Sequence, residues 1–160
     1  MAESDVVMVC TVCRFVLDVE WSEDGVRYLH TRADAAQDLD HDPVPIDAPH
    51  GFRGGRCDFC FDGIPAFILP ARDFLYPDDR SQASSGDWAA CQDCAALIAR
   101  NKWLKVIERV AATHIRHTGH SLPPAARTQL QIRYRALRRN ITGPLCAIPP
   151  LRETGNNDPA

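Results

Sequence analysis

Cys57-Asp58-Phe59-Cys60-Phe61-Asp62-Gly63 is answered downstream by Gly86-Asp87-Trp88-Ala89-Ala90-Cys91-Gln92-Asp93-Cys94, and these two stretches set the architecture. A Cys-x-x-Cys turn delivers two sulfurs to one point, and a tetrahedral zinc ion needs four soft ligands. The first pair stands in a glycine-containing knuckle. Between the pairs, Ala66-Phe67-Ile68-Leu69 reads as a short strand and Asp78 to Gly86 as a polar loop. Asp87 reads as the N-cap of a helix that starts near Cys91. Asn101 ends it, because Asn tolerates the left-handed conformation needed past a helix end. The second pair therefore opens a helix, where the positive dipole end favours thiolate. Cys57, Cys60, Cys91 and Cys94 are expected to hold one zinc ion.

Upstream, Cys10-Thr11-Val12-Cys13 repeats the spacing without a fourth pair to complete it, so its other ligands must come from elsewhere. Residues 14–30 read as a hairpin: Phe15, Leu17 and Val19 alternate with Val16, Asp18 and Glu20, and Ser22-Glu23-Asp24-Gly25 is a turn. His30 ends that hairpin and His41 follows. Cys-x-x-Cys, hairpin, His, loop, His fits a zinc ribbon with ligands Cys10, Cys13, His30 and His41. His50, nearer the linker, is an alternative to His41.

The chain has seven cysteines, and only Cys146 falls outside the three pairs. In a reducing compartment such spacing points to metal rather than to disulfides. The acidic start Met1-Ala2-Glu3-Ser4-Asp5 lacks the basic and apolar regions of a secretory signal, and no apolar run approaches the ~18 residues of a membrane span. A cytoplasmic location without a membrane partner is the expectation. A thioredoxin-like dithiol would need a βαβ context, which none of the pairs has.

Downstream of the zinc ligands, a second helix is expected from about Trp103 to His117, burying Leu104, Ile107, Ala111 and Ile115, with Gly119 as its stop. Ser121-Leu122-Pro123-Pro124 starts a third, which buries Leu130, Tyr134, Leu137 and Ile141 before Gly143-Pro144. His114, His117 and His120 are read as solvent-facing, since cations at a helix C-terminus are favourable without a metal. The predicted whole is α+β. An N-terminal zinc-ribbon-like module spans 1–48, followed by a linker over 49–56. A treble-clef-like four-cysteine module with C-terminal helices spans 57–145, and a flexible tail covers 146–160. Two structural Zn²⁺ ions would stand in for a core that modules this small cannot supply.

Charge is strongly divided. Residues 1–90 carry 7 Lys/Arg against 17 Asp/Glu, a net −10, and residues 91–160 carry 11 against 4, a net +7. From Ala95 to Thr142 there are 10 Lys/Arg and one acid, Glu108. On a helical wheel Arg127, Arg135, Arg138 and Arg139 fall in one sector of the third helix, and Arg100, Lys102, Lys105, Arg109 and Arg116 extend the field. Such a footprint suits phosphate contacts, so a nucleic-acid-binding regulator is the first expectation, with DNA and RNA both open. The plainer reading is a solvated helix face, and no base-reading motif is present. The alternative is an adaptor that grips a host or partner protein through the acidic front module. Asp40-His41…Pro45 between two Cys-x-x-Cys pairs suggests an HNH-like nuclease, but Phe61 follows Cys60 where Asn or His is needed, and His41 has a use as a zinc ligand. No catalytic residue and no small-molecule substrate motif is found.

Knuckle, short strands and a helix that donates the last two ligands resembles a treble-clef zinc finger over about residues 55–100. Cys57-x-x-Cys60, Pro70-Ala71-Arg72-Asp73-Phe74 and Gly86-Asp87-Trp88-Ala89-Ala90-Cys91-x-x-Cys94-x-x-Leu97-Ile98, with Asn140-Ile141-Thr142-Gly143-Pro144, are similar to a group of small proteins of actinobacteria and their phages. Asp38-Leu39-Asp40-His41-Asp42-Pro43-Val44-Pro45 likewise resembles a small zinc element of similar genomes. These resemblances imply the zinc ligands and no activity.

Overall fold

Around Cys10 the backbone turns back on itself: Cys10 N–H donates to Phe15 O at 2.9 Å and Arg14 N–H to Cys10 O at 2.8 Å, with Arg14 at φ 65°. The knuckle belongs to the first of two units in a computed structural model that describes residues 7–30 and 40–151. The first unit is Met1–Gly55 with Pro149–Ala160, and the second is Arg56–Ile148. The expected linker over 49–56 is thus not a separate element: Gly55 N–H is bound to Arg14 O within the first unit. The acidic N-terminus and the end of the tail, 152–160, lie outside the described residues.

The first unit holds β1 (Met8–Cys10), β2 (Leu17–Ser22), β3 (Gly25–His30) and β4 (Pro45–Asp47). β2 and β3 form the expected antiparallel hairpin, with Ser22 opposite Gly25 and Leu17 opposite His30. β1 pairs antiparallel with β4, Cys10 opposite Pro45, inside a proline-rich stretch that propensity reads as loop. Proline is tolerated there because it begins the strand. The buried core is Cys10, Cys13, Phe15 and Leu17, with Met8 and Tyr28 against it. So few apolar side chains cannot hold a fold alone.

The second unit contains β5 (Pro65–Leu69), β6 (Phe74–Leu75), β7 (Ala83–Ser84), β8 (Trp88–Cys91), α1 (Gln92–Ala99), α2 (Trp103–Thr118), α3 (Pro124–Asn140) and β9 (Cys146–Ala147). β5 is the centre of an antiparallel sheet in the order β8-β5-β9. Cys146, expected in a flexible tail, lies instead on β9 opposite Ile68, with its side chain exposed. Asp87 does not cap α1. It accepts from Ala71 N–H at 3.0 Å, and the N-cap is Cys91, whose Sγ accepts from Cys94 N–H at 3.5 Å. Asn101 does take the left-handed turn, φ 57°, and Gly119 ends α2 at φ 73°.

Phe59 is fully buried and stands among Trp88, Tyr134 and Trp103, with ring centres 5.1, 5.6 and 6.2 Å away. This aromatic cluster joins knuckle, sheet and helices. α2 turns Trp103, Val106, Ile107, Val110 and Ala111 to the core, so its buried stripe is rotated from the expected one. Leu104 and Ile115, predicted inside, are 67% and 47% exposed. Packing on the Phe59 cluster selects the face bearing Trp103. On α3, Tyr134 and Leu137 are buried and Leu130 is partly so. Ile141 lies just beyond the helix, where it bridges to Ala71. No helix among the described residues is long and apolar enough to cross a membrane.

Candidate metal centres

Cys57, Cys60, Cys91 and Cys94 bring their sulfurs within 4.8 Å of one another, and all four are buried. The first two come from the knuckle, closed by Cys57 N–H to Gly63 O at 2.8 Å and Phe61 N–H to Cys57 O at 2.9 Å. The others come from the end of β8 and the first turn of α1. Asp58 holds the two halves in register: its N–H donates to Ala89 O at 2.8 Å, and its Oδ2 accepts from Ala89 N–H at 2.7 Å. Sequence reasoning missed Asp58, and the one signal that could have found it is an acid set between the two cysteines of a knuckle.

The second set is Cys10, Cys13, His30 and His41, again within 4.8 Å of one another. β1 and its knuckle supply the cysteines, the end of β3 supplies His30, and the segment before β4 supplies His41. Cys10 Sγ lies 3.4 Å from His41 Nε2, and Cys13 Sγ lies 3.4 Å from His30 Nε2. The two imidazoles meet edge to face at 4.9 Å. His50 is exposed and outside this set, so the choice left open between His41 and His50 falls to His41.

Donor chemistry and distances both fit zinc. Tetrahedral geometry with Zn–S of about 2.3 Å and Zn–N of about 2.05 Å places neighbouring S and N about 3.6 Å apart, and two sulfurs about 3.8 Å apart. The observed S···N separations are 3.4 Å, and Cys60 Sγ to Cys91 Sγ is 3.8 Å. A disulfide would need about 2.05 Å. The mixed cysteine–histidine site and the all-cysteine site are compatible with two structural zinc ions. With all four side chains bound, the tetrahedral positions of either ion would be filled, as in structural zinc sites.

Crowding thiols at each site splits their acidities, lowering some and raising others. Hydrogen bonding from the Cys57 thiol lowers the Cys91 pKa to about 6, and the same donor holds Cys60 far below the usual thiol range. Cys57 and Cys94 are pushed up, chiefly by Cys60 and Cys57 respectively. Zinc binding would displace the protons they retain. Burial opposes ionisation of Cys10, yet backbone N–H groups, that of Val44 foremost, bring it to about 6.

Arg109 on α2 is ion-paired with Asp93, which stands beside Cys94 in the first turn of α1. Its Nε is buried with no nitrogen or oxygen partner, while Nη2 stands 3.5 Å from Asp93 Oδ2, beside Cys94. Desolvation works against its charge, but interaction with Cys94 and then Cys60 raises its pKa above the ordinary value. A zinc ion held by four thiolates would carry about two net negative charges, and a half-buried arginine nearby would offset part of them.

The other expected cations divide in two. Arg116 pairs with Asp62 at 2.8 Å, Lys105 with Glu108 at 3.1 Å and Arg133 with Asp78 at 3.0 Å. Among the described residues, Arg100, Lys102, Arg127, Arg135, Arg138 and Arg139 form no ion pair. Arg138 is held nonetheless: Nη2 donates to Asn101 Oδ1 at 3.1 Å, and its guanidinium lies 5.7 Å from the Trp103 ring centre. This brings the end of α3 beside the α1–α2 junction that carries Arg100 and Lys102. Arg127 is 11 residues before Arg138 on α3, about 16 Å along the axis, and stands apart. His117 sits 3.4 Å from Asp62, and no ligand set forms around His114, His117 and His120 among the described residues.

No protein-family model matches the chain, nor does any curated protein or solved structure.

Proposed function

We propose that the second unit is a zinc-stabilised nucleic-acid-binding module whose contact surface is centred on Arg138. The observation that carries this reading is the group of cations without acidic partners where α3 ends against the α1–α2 junction: Arg100, Lys102, Arg135, Arg138 and Arg139. A polyanion satisfies it, releasing condensed counterions as it binds. The closed zinc sites make the module a rigid platform and supply no reaction. In fluorescence anisotropy with labelled DNA and RNA, affinity should fall steeply as salt rises, and Arg135/Arg138/Arg139→Ala should flatten that slope by roughly one for every phosphate no longer bound. Absence of binding at low salt would remove the proposal.

A second reading, a protein adaptor, is favoured by the hairpin of the first unit. Val19, Trp21 and Val26 lie on one face, 41%, 78% and 43% exposed, with Tyr28 beside them. Asp18 and Glu20 lie on the opposite face and Glu23 and Asp24 in the turn, so the hairpin as a whole is acidic, and its partner would be a basic protein surface with apolar anchors. Trp21→Ala should abolish capture of such a partner without altering nucleic-acid affinity; an unchanged partner set would dismiss the adaptor. From the shared cysteine and Gly-Asp-Trp pattern we further propose kinship with the small zinc proteins of actinobacteria and their phages. A member of that group with different zinc ligands would break the link.

A further inference from the structure

We infer that the nucleic acid is read single-stranded, with one unstacked base seated in the apolar cleft beside Arg138. The inference rests on the nucleic-acid reading above and names the form of ligand for that surface. The cleft holds about 530 Å³, inside the range of about 300–1,000 Å³ typical of small-molecule sites. Its walls include Leu69, Ile98, Ala99, Trp103 and Leu145, drawn from the sheet, α1, α2 and the segment before β9. Two polar side chains complete it, Asn101 and Arg138.

This combination is specific in its chemistry. A base offers two flat apolar faces and a polar edge, attached to an anion. The apolar walls suit the faces. The Asn101 amide turns Oδ1 to Arg138, which leaves its two N–H donors for a base edge. Arg138 is pre-oriented by Asn101 and Trp103, has no carboxylate partner among the described residues, and provides the phosphate contact. No acidic side chain lines the cleft. A smaller cleft, about 210 Å³, shares Trp103 and Arg138 with it and adds Gln131 and Arg135, so a strand has cationic footing on leaving the first. Bases within a duplex are stacked and cannot enter such a cleft, whereas single-stranded binders gain affinity from each base they take up.

The test compares a short oligothymidine strand, the same strand with abasic sites, and a duplex of equal length on the zinc-loaded full chain. The intact strand should bind about ten-fold more tightly than the abasic strand or the duplex, the discrimination expected of one seated base. Ala99→Phe fills the cleft from an exposed position at the end of α1, in the cleft wall next to Arg100. It should erase the preference for the intact strand over the abasic one, with zinc content and melting temperature confirming the fold. Equal binding of all three ligands, or an unaltered preference in Ala99→Phe, overturns the base site while the basic surface stands. No binding to any of them overturns both proposals.

Discussion

Position 63 admits no side chain. A methyl group there would stand 2.5 Å from Cys91 Cβ and 2.8 Å from its sulfur, so glycine is what lets the knuckle and the start of α1 close on one ion. Gly63→Ala is expected to cost about 1–3 kcal/mol by overpacking and to loosen the ion. A thermal melt at saturating zinc that matches the parent would contradict this. Arg109 acts on the same sulfurs through charge. Arg109→Met should speed zinc transfer to a chromophoric chelator by about ten-fold, in the range of outer-shell changes at metal sites, with Arg109→Lys recovering part of the loss. Transfer at the parental rate in both variants would remove Arg109 from the site. The ligands themselves were legible in the sequence because three equal Cys-x-x-Cys spacings answer a chemical need of zinc. Asp58 and Arg109 were not, because a clamp or a counter-charge is set by what lies opposite in space.

Among the secondary-structure elements, α3 is tied to the loop after β6 through one carboxylate. Arg133 Nε donates to both oxygens of Asp78, at 3.0 and 3.2 Å, Gln129 adds a bond at 2.9 Å, and the guanidinium lies 4.2 Å over the Tyr76 ring. Desolvation opposes the Asp78 charge, but Gln129 and then Arg133 hold its carboxyl below the ordinary value of 3.8. A carboxyl depressed in the folded state stabilises the fold at pH above its unfolded value, and that gain is lost as pH falls through the folded value. Asp78→Asn should therefore lower the melting temperature by the same small amount from pH 8 to pH 5. A gap that has already closed at pH 5 would show that the carboxylate does not carry the tie. Helix limits followed well from the sequence, since Asn101, Gly119 and Pro124 act through their own backbone preferences. The buried face of α2 did not. The 3-4-4 spacing of Leu104, Ile107, Ala111 and Ile115 is as periodic as the stripe that packs, and only the position of Phe59, Trp88 and Tyr134 chooses between them.

For the molecule entire, two closed sites imply a zinc content of two per chain and folding coupled to metal. Cys91→Ser should reduce the content to one and melt the second unit, whereas Cys146→Ser, at an exposed thiol, should keep both ions and the parental melting curve. Elemental analysis with circular dichroism reads both effects, and two ions retained in Cys91→Ser would refute the assignment. The order of residues was enough to read the α+β class, the candidate zinc ligands up to the choice between His41 and His50, the ends of α1 and α2 at Asn101 and Gly119, and the division of charge. These depend on ligand chemistry, local backbone preference and composition, all carried by residues close along the chain. Packing in three dimensions selected His41 for the first site and paired Pro45–Asp47 and Cys146–Ala147 as strands. It also separated Arg109, Arg116 and Arg133, each paired with a carboxylate, from Arg138 and its unpaired neighbours. Strand partners and counter-charges come from segments tens of residues apart, and their energies depend on distance and burial, which spacing along the chain does not encode.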